Sequence, residues 1–215
     1  MTEIFGWLPS LLSGLKTTLL LTAGATLIAC PAALIAGLAR LSGNPLFYLP
    51  AVCYIELFRG TSVLVQLFWS YYVLPLFGWQ LGALTAGILV LGLNIGAYGA
   101  EVVRGAVQSV PKEQYEAAKA LNFSKKQTLT RIILPQALVV ILPPAGNLLI
   151  ELLKSTALVS MITLTELTFK GHILRASTLK STEIFAIVLL IYFLLALSIT
   201  GAIRKLERRF SYVKD

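Results

Sequence analysis

Five stretches of the chain, residues 17–39, 62–77, 81–100, 132–150 and 184–203, contain no Asp, Glu, Lys or Arg. A bilayer core is crossed by about 20 apolar residues in a helix. Hydrocarbon offers backbone N–H and C=O groups no partners, so a spanning segment must satisfy them within itself. These runs are therefore predicted as helices, with spans at about 14–39, 48–74, 81–107, 132–158 and 183–204. Glu56 and Arg59 interrupt the apolar pattern near the start of the second. Composition agrees: 57% of residues are hydrophobic and 13% charged, where a soluble domain carries about 25% charged residues. The expected fold is an all-α integral membrane protein with five transmembrane helices.

Lys and Arg concentrate on the cytoplasmic side of membrane proteins. With the N-terminus outside, the inner segments hold Arg40, then Arg104, Lys112, Lys119, Lys125, Lys126 and Arg131, then Arg204, Lys205, Arg208, Arg209 and Lys214. The outer segments hold only Lys170, Arg175 and Lys180, with Lys16 near the outer end of the first span. The C-terminus is expected inside. Basic inner segments beside anionic lipid account for the net charge of +8 without a nucleic-acid partner. The N-terminal MTEIFGW lacks the basic start of a cleavable signal peptide and is expected to be mature sequence. Cys30 and Cys53 stand alone at apolar positions, and His172 is a lone loop histidine, so no metal site is expected. There is no Ser-His-Asp set, no HExxH and no GxxxxGK[ST]. The chain is not expected to be an enzyme or to hydrolyse nucleotide itself.

One long polar stretch sits inside this apolar chain. Residues 113–135, EQYEAAKALNFSKKQTLTRIILP, carry six charges. Pro111 suits a first helical turn, and the residues after it favour helix. Lys112 and Glu116 stand at i,i+4 spacing. Tyr115, Ala118 and Leu121 share a stripe, and the alanines at 117, 118 and 120 give a smooth surface. Asn122 is predicted to end the helix in the left-handed conformation. Ser124 and Gln127 form a capping box that starts a second helix. Helix–helix connections typically take about 2–8 residues. A longer, ordered connection points to a docking element, over about 109–131.

Glu116-Ala117-Ala118, then Asn122 where Gly is usual, then Ile132-Ile133-Leu134-Pro135, resembles the EAA signature of permease subunits of bacterial ATP-binding-cassette (ABC) importers. ELFRGTSVLVQLF (56–68), AYGAEVVRGAVQSVPKEQYEAAKAL (97–121) and LPPAGNLLIELLKSTALVSMITLTELT (142–168) resemble the polar amino-acid uptake branch, which includes histidine, glutamine and arginine permeases. The similarity covers roughly residues 10–210, so one transmembrane domain is expected over 1–215. The resemblance implies that the polar stretch forms coupling helices seated in a cytoplasmic ATPase, with Glu116, Ala117, Ala118, Lys119, Leu121 and Asn122 in that contact. Ala117 and Ala118 would meet the ATPase wall and Glu116 would offer a charged anchor. It implies two ATPase subunits, which bind ATP and Mg, a second permease subunit, identical or homologous, and an extracytoplasmic amino-acid-binding protein. It places the chain in the bacterial plasma membrane.

Ionisable groups inside a membrane mark candidate functional sites. Glu56–Arg59 and Glu101–Arg104 are i,i+3 pairs that read either as self-neutralised or as substrate contacts. Asn94 lies mid-span between Gly92 and Gly96, a spacing that lets helices approach closely. Its amide reads either as one interhelical hydrogen bond or as a cavity group. Asn147, Glu151 and Ser155 share a face of the fourth span, after Pro143, Pro144 and Gly146, which are expected to interrupt that helix. Where the family pattern has Glu directly after the Asn, this chain has Leu148, and Glu151 stands about one turn further on. Glu151 either pairs with Lys154 or awaits a substrate ammonium. Thr61 sits mid-way along the second span, on one face with Leu57 and Leu64. The expected substrate site is a midplane cavity of Leu57, Thr61, Asn94, Asn147, Glu151 and Ser155, for a polar, preferentially basic, amino acid. Competing readings are a permease for a small zwitterionic osmolyte, an ion-driven secondary transporter and an intramembrane enzyme. Five spans without an internal repeat disfavour the second, and the lack of a nucleophile–base or metal set disfavours the third.

Overall fold

The computed structural model describes residues 2–210. Residue 1 and residues 211–215, including Lys214 of the basic tail, lie outside the described residues. Helix α1 (Thr2–Arg40) opens the chain. Its enclosed residues Trp7, Leu11, Gly14, Thr18, Leu21, Ala25 and Ala29 recur every three to four positions and so form one face. Its Leu21, Ala25 and Ala29 pack on α4 (Ala83–Gln108), the most enclosed of the long apolar helices, while Leu11 packs with Leu167 and Val188 and Thr18 reaches Glu166.

The contact between them is made by small residues. A Cβ added at Gly92 would lie 2.8 Å from Ile28 Cβ and 2.9 Å from the Ala25 carbonyl oxygen. At Gly96 it would meet Ala32 and the Tyr54 hydroxyl, and at Gly99 it would meet Ala33. Gly37 on α1 likewise lies against the Ala100 carbonyl and Val103. The GxxxG spacing read in the sequence thus brings the two backbones together.

Helix α2 (Pro45–Gly60) starts at an Asn44 cap whose side chain accepts from the Leu46 N–H. The sequence predicted one helix across 48–74; the chain instead turns by 104° between Pro45–Gly60 and Val63–Phe77. Gly60 ends α2, and Thr61 (φ −123, ψ 154) and Ser62 (φ −67, ψ 129) are extended. The Thr61 hydroxyl donates to the Leu57 carbonyl and satisfies the end of the helix. The chain resumes as α3 (Val63–Phe68), a π-helical turn (Trp69–Val73) and a 3-10 turn (Leu74–Phe77) that stops at left-handed Gly78. Among the described residues, four helices are long and apolar enough to cross a membrane, and the bent pair makes a fifth if it counts as one span.

Helices α5 (Lys112–Ala120) and α6 (Lys125–Gln127) follow, and a π-helical turn (Thr128–Ile133) leads into α7 (Leu134–Ser155). Pro111 caps α5 rather than lying in its first turn. Pro143 and Pro144 sit inside α7 without ending it, contrary to the expected interruption. Lacking N–H groups, they leave the Val139 and Val140 carbonyls without their helical donors, while Gly146 lets Ile203 of the last helix approach. A 3-10 segment (Thr156–Ile162) leads to α8 (Leu167–Thr178), which the sequence did not announce, and α9 (Ser181–Phe210) closes the chain against α7 and α8.

Candidate functional site

The break after α2 is lined with amide chemistry. The Gln66 side-chain nitrogen donates to Thr61 Oγ1 (2.7 Å), the Phe58 carbonyl (3.0 Å) and the Thr61 carbonyl (3.3 Å). Asn94, buried on α4, donates to the Phe58 carbonyl (2.9 Å) and to Gln66 Oε1 (3.2 Å). Of the residues assigned to a midplane cavity, Thr61 and Asn94 are therefore joined, through Gln66. The Thr61 side chain remains on an exposed residue, beside exposed Leu57.

Asn147, Glu151 and Ser155 do not join this network by any hydrogen bond. Helix α7 packs chiefly on α1, α4 and α9. Asn147 and Glu151 are exposed and Ser155 is half-buried. Among the described residues Glu151 and Lys154 form no ion pair, so the pairing considered from their i,i+3 spacing is absent. Lys154 instead lines an apolar crevice of about 680 Å³ between α7 and α9, with Phe185, Tyr192 and Phe193.

The charged groups nearer the hairpin form a relay. Glu101 accepts from Arg40 on one oxygen and from Arg104 on the other, at 2.9 and 3.1 Å. Arg40 also approaches Glu56 at 3.4 Å. The Glu101–Arg104 pair is formed, but Glu56 does not pair with Arg59, whose guanidinium lies 5.3 Å from the Tyr98 ring centroid. Arg40, from another helix, and an aromatic face draw the two apart.

The polar stretch folds as a capped hairpin. Asn122 takes φ 57, the left-handed conformation expected of it. The Phe123 N–H donates to the Ala118 carbonyl and the Asn122 N–H to the Lys119 carbonyl, both 3.0 Å. Those two bonds define a Schellman end. Ser124 and Gln127 make the capping box in both directions. Glu116, Ala117, Lys119, Leu121 and Asn122 are exposed, Leu121 by 68%. Ala118 is fully buried, so it cannot meet a partner as expected. The reason is packing: α5 lies on the π-helical turn at Thr128–Ile133, and Ala118 is enclosed while Tyr115 and Leu121 beside it stay exposed. Tyr115, on the same stripe, donates its hydroxyl to the Val107 carbonyl at 3.2 Å, and burial raises its pKa.

Glu166 escaped the sequence reading. It is fully buried and caps α8, accepting from the Thr168 and Phe169 N–H groups, both at 2.8 Å. The Tyr192 hydroxyl donates to it at 3.0 Å, and Thr18 lies at 3.5 Å. Burial pushes its pKa up, against the opposing pull of those donors. Its position directly before the Leu167–Thr178 helix, three residues after left-handed Thr163, was the available sign, because an acidic side chain suits a helix start.

The described residues form an all-helical bundle with a sharply bent second helix pair, an amide-lined break and a capped polar hairpin. Residues 8–212 match the family described as binding-protein-dependent transport system inner membrane component, and the chain belongs to that family. Among its relatives, the probable amino-acid ABC transporter permease protein y4tF of Sinorhizobium fredii is 49% identical over 80% of this chain and 74% of its own length. The glutamine transport system permease protein GlnP of Escherichia coli is 36% identical over 97% of this chain and 96% of its own. A solved structure described as an amino acid ABC transporter with histidines superposes with a TM-score of 0.90 at 36% identity, covering 97% of each chain. An inward-facing MetNI methionine ABC transporter shares the fold, with a TM-score of 0.79 at 22% identity.

Proposed function

We propose that this chain is the membrane-spanning subunit of an ATP-driven importer of a polar amino acid, with a preference for basic ones. It forms the translocation pathway together with a second permease subunit and passes motion to two cytoplasmic ATPases, which hold the ATP and Mg. The observation that carries this reading is the broken second span. A Thr61–Gln66–Asn94 cluster gathers polar groups at that break, and broken helices frame the sites where transporters bind small polar cargo. The relatives named as amino-acid and glutamine permeases support the cargo class.

Glu151 supplies the cationic preference. A carboxylate in low dielectric is costly unless paired, and this one has no ion partner among the described residues. Its exposed position on α7 suits a face turned toward a second permease subunit, where a substrate ammonium would complete it. The hairpin supplies the coupling. Both of its helix ends are hydrogen-bonded, so a push on Glu116, Ala117 or Leu121 travels into α7 instead of being absorbed by a loose loop.

The test is direct binding to the detergent-solubilised permease–ATPase complex without its binding protein. A charge-assisted hydrogen bond contributes about 1.5–3 kcal/mol, or about ten- to more than a hundredfold in affinity. Glu151→Gln is expected to weaken binding of arginine or histidine by that factor while the complex still assembles. Equal affinities in wild type and variant would remove Glu151 from the site.

A further inference from the structure

The turn joining α8 to α9 is built around a residue that suits it poorly. Leu179 has φ 59 and ψ 11, and its N–H donates to the Arg175 carbonyl at 2.8 Å. Left-handed positions favour Gly or Asn, and a bulky side chain there is costly. The α5–α6 turn uses Asn122 and the turn after Phe77 uses Gly78. Leu179 is also 86% exposed, the most exposed large hydrophobic side chain among the described residues. A glycine would relieve both the backbone and the hydration cost, so neither folding nor solubility explains a leucine.

Its surroundings are cationic. Leu179, His172, Arg175, Ala176 and Ser181 line a hollow of about 330 Å³. Arg175 and His172 are exposed, and Lys170 is half-buried one turn earlier on α8. Lys180 reaches back over the Trp7 ring at 5.9 Å from its centroid. Against these stands Glu183 as an exposed acid, since Glu166 is buried and consumed by its own hydrogen bonds. An apolar knob with a polar, charged rim is the anatomy of an interaction anchor. On the orientation that the Lys and Arg bias favours, this turn lies outside, opposite the hairpin.

We propose that Leu179, rimmed by His172, Arg175 and Lys170, is a docking anchor for the external binding protein, which offers it an apolar hollow edged with Asp and Glu side chains. The charge of the rim selects the acidic surface, and the leucine fixes its register. The proposal rests on the reading of the chain as an importer subunit, and it adds where and by what chemistry the binding protein docks.

The experiment uses the whole permease–ATPase complex in lipid nanodiscs, with its purified binding protein. ATPase rate is measured against binding-protein concentration for wild type, Leu179→Gly and Arg175→Glu. Leu179→Gly is expected to melt at or above the wild-type temperature, with unchanged basal ATPase. Its half-saturating binding-protein concentration is expected to rise about tenfold, as for loss of an interface anchor. Arg175→Glu is expected to shift it similarly, and the shift should shrink as salt is raised. An unchanged half-saturating concentration in Leu179→Gly overturns the anchor while leaving the importer reading intact. Loss of permease pairing or of nanodisc incorporation in Leu179→Gly assigns the leucine to a second copy or to lipid, and also overturns it. A wild-type complex that no binding protein stimulates overturns the importer reading itself.

Discussion

The side-chain amide of Asn94, on α4, donates at 2.9 Å to the carbonyl oxygen of Phe58, in the last turn of α2 before the chain bends. This bond ties the broken span to the most enclosed helix of the bundle. Gln66 reaches the same carbonyl from beyond the break, at 3.0 Å. The bend is therefore held from both sides.

The two amides are not equivalent. Asn94→Ala removes two hydrogen bonds but leaves Phe58 its Gln66 donor, and is expected to cost about 1 kcal/mol. Gln66→Leu removes donors to Phe58 and to both Thr61 oxygens, along with the acceptor for Asn94, and is expected to cost about 2–3 kcal/mol. Thermal unfolding of the purified complex in detergent ranks them; a milder Gln66 variant would mean that the break is held elsewhere.

Two glycines on α4 should behave oppositely. A Cβ at Gly92 would meet Ile28 and the Ala25 carbonyl below 3.0 Å, whereas nothing lies within 4 Å of one at Gly105. Gly92→Ala is expected to destabilise by about 1–3 kcal/mol through overpacking. Gly105→Ala is expected to be neutral or to gain up to about 1 kcal/mol of helix propensity. The same melting experiment measures both.

At the hairpin turn, Asn122→Gly should be tolerated, because glycine enters the left-handed region freely. Asn122→Val should cost about 1–2 kcal/mol at that one residue. Protease susceptibility of the 109–131 segment in the folded protein reports it. Wild-type resistance in the valine variant would contradict the capped turn.

Surface and interior of α5 separate in the same way. Glu116→Lys lies on an exposed residue and is expected to change stability by less than about 0.5 kcal/mol, while reducing ATPase co-purification. Ala118→Leu forces three extra carbons into a fully buried position and is expected to cost about 1–3 kcal/mol. A Glu116→Lys complex that co-purifies and transports normally would remove this helix from the coupling surface.

Glu166 gives a pH dependence with a definite sign. Its pKa in the fold is raised by burial above the usual carboxylate value. Folding therefore binds a proton more tightly than the unfolded chain does. The contribution is fully present below the ordinary carboxylate pKa and is lost as pH rises through the raised folded value. Melting temperature should fall across that window in wild type and stay flatter in Glu166→Gln. A parallel fall in both proteins would assign the dependence to other groups.

What could be read from the sequence was what short-range rules control. The long apolar runs located the spans because the membrane requirement acts on each segment alone. The Asn122 turn and the Ser124–Gln127 box were legible because every atom involved lies within a few residues. The bend at Gly60–Ser62 was not, since apolar residues continue on both sides and hydropathy carries no angle. Ala118 was placed on the wrong side because its burial depends on which face of α5 meets the following turn. Glu166 was missed because Tyr192 and Thr18 lie 26 and 148 residues away in the chain. Glu151 lies within a long apolar helix as read, but of its two readings the Lys154 pair is one that the side chains do not make.

The close seam between α1 and α4 also limits how such a sequence can diverge. Each glycine there faces a named neighbour: Gly92 faces Ile28, Gly96 faces Ala32 and Gly99 faces Ala33. A gain of volume on one helix must be matched by a loss on the other, so these positions can change only in pairs. Helix α9 carries such a bargain at Ile203, against Gly146, but its exposed face can exchange one apolar residue for another singly. Related chains should therefore show correlated substitution at 28 and 92, 32 and 96, and 33 and 99, beside nearly independent drift along the exposed face of the last helix.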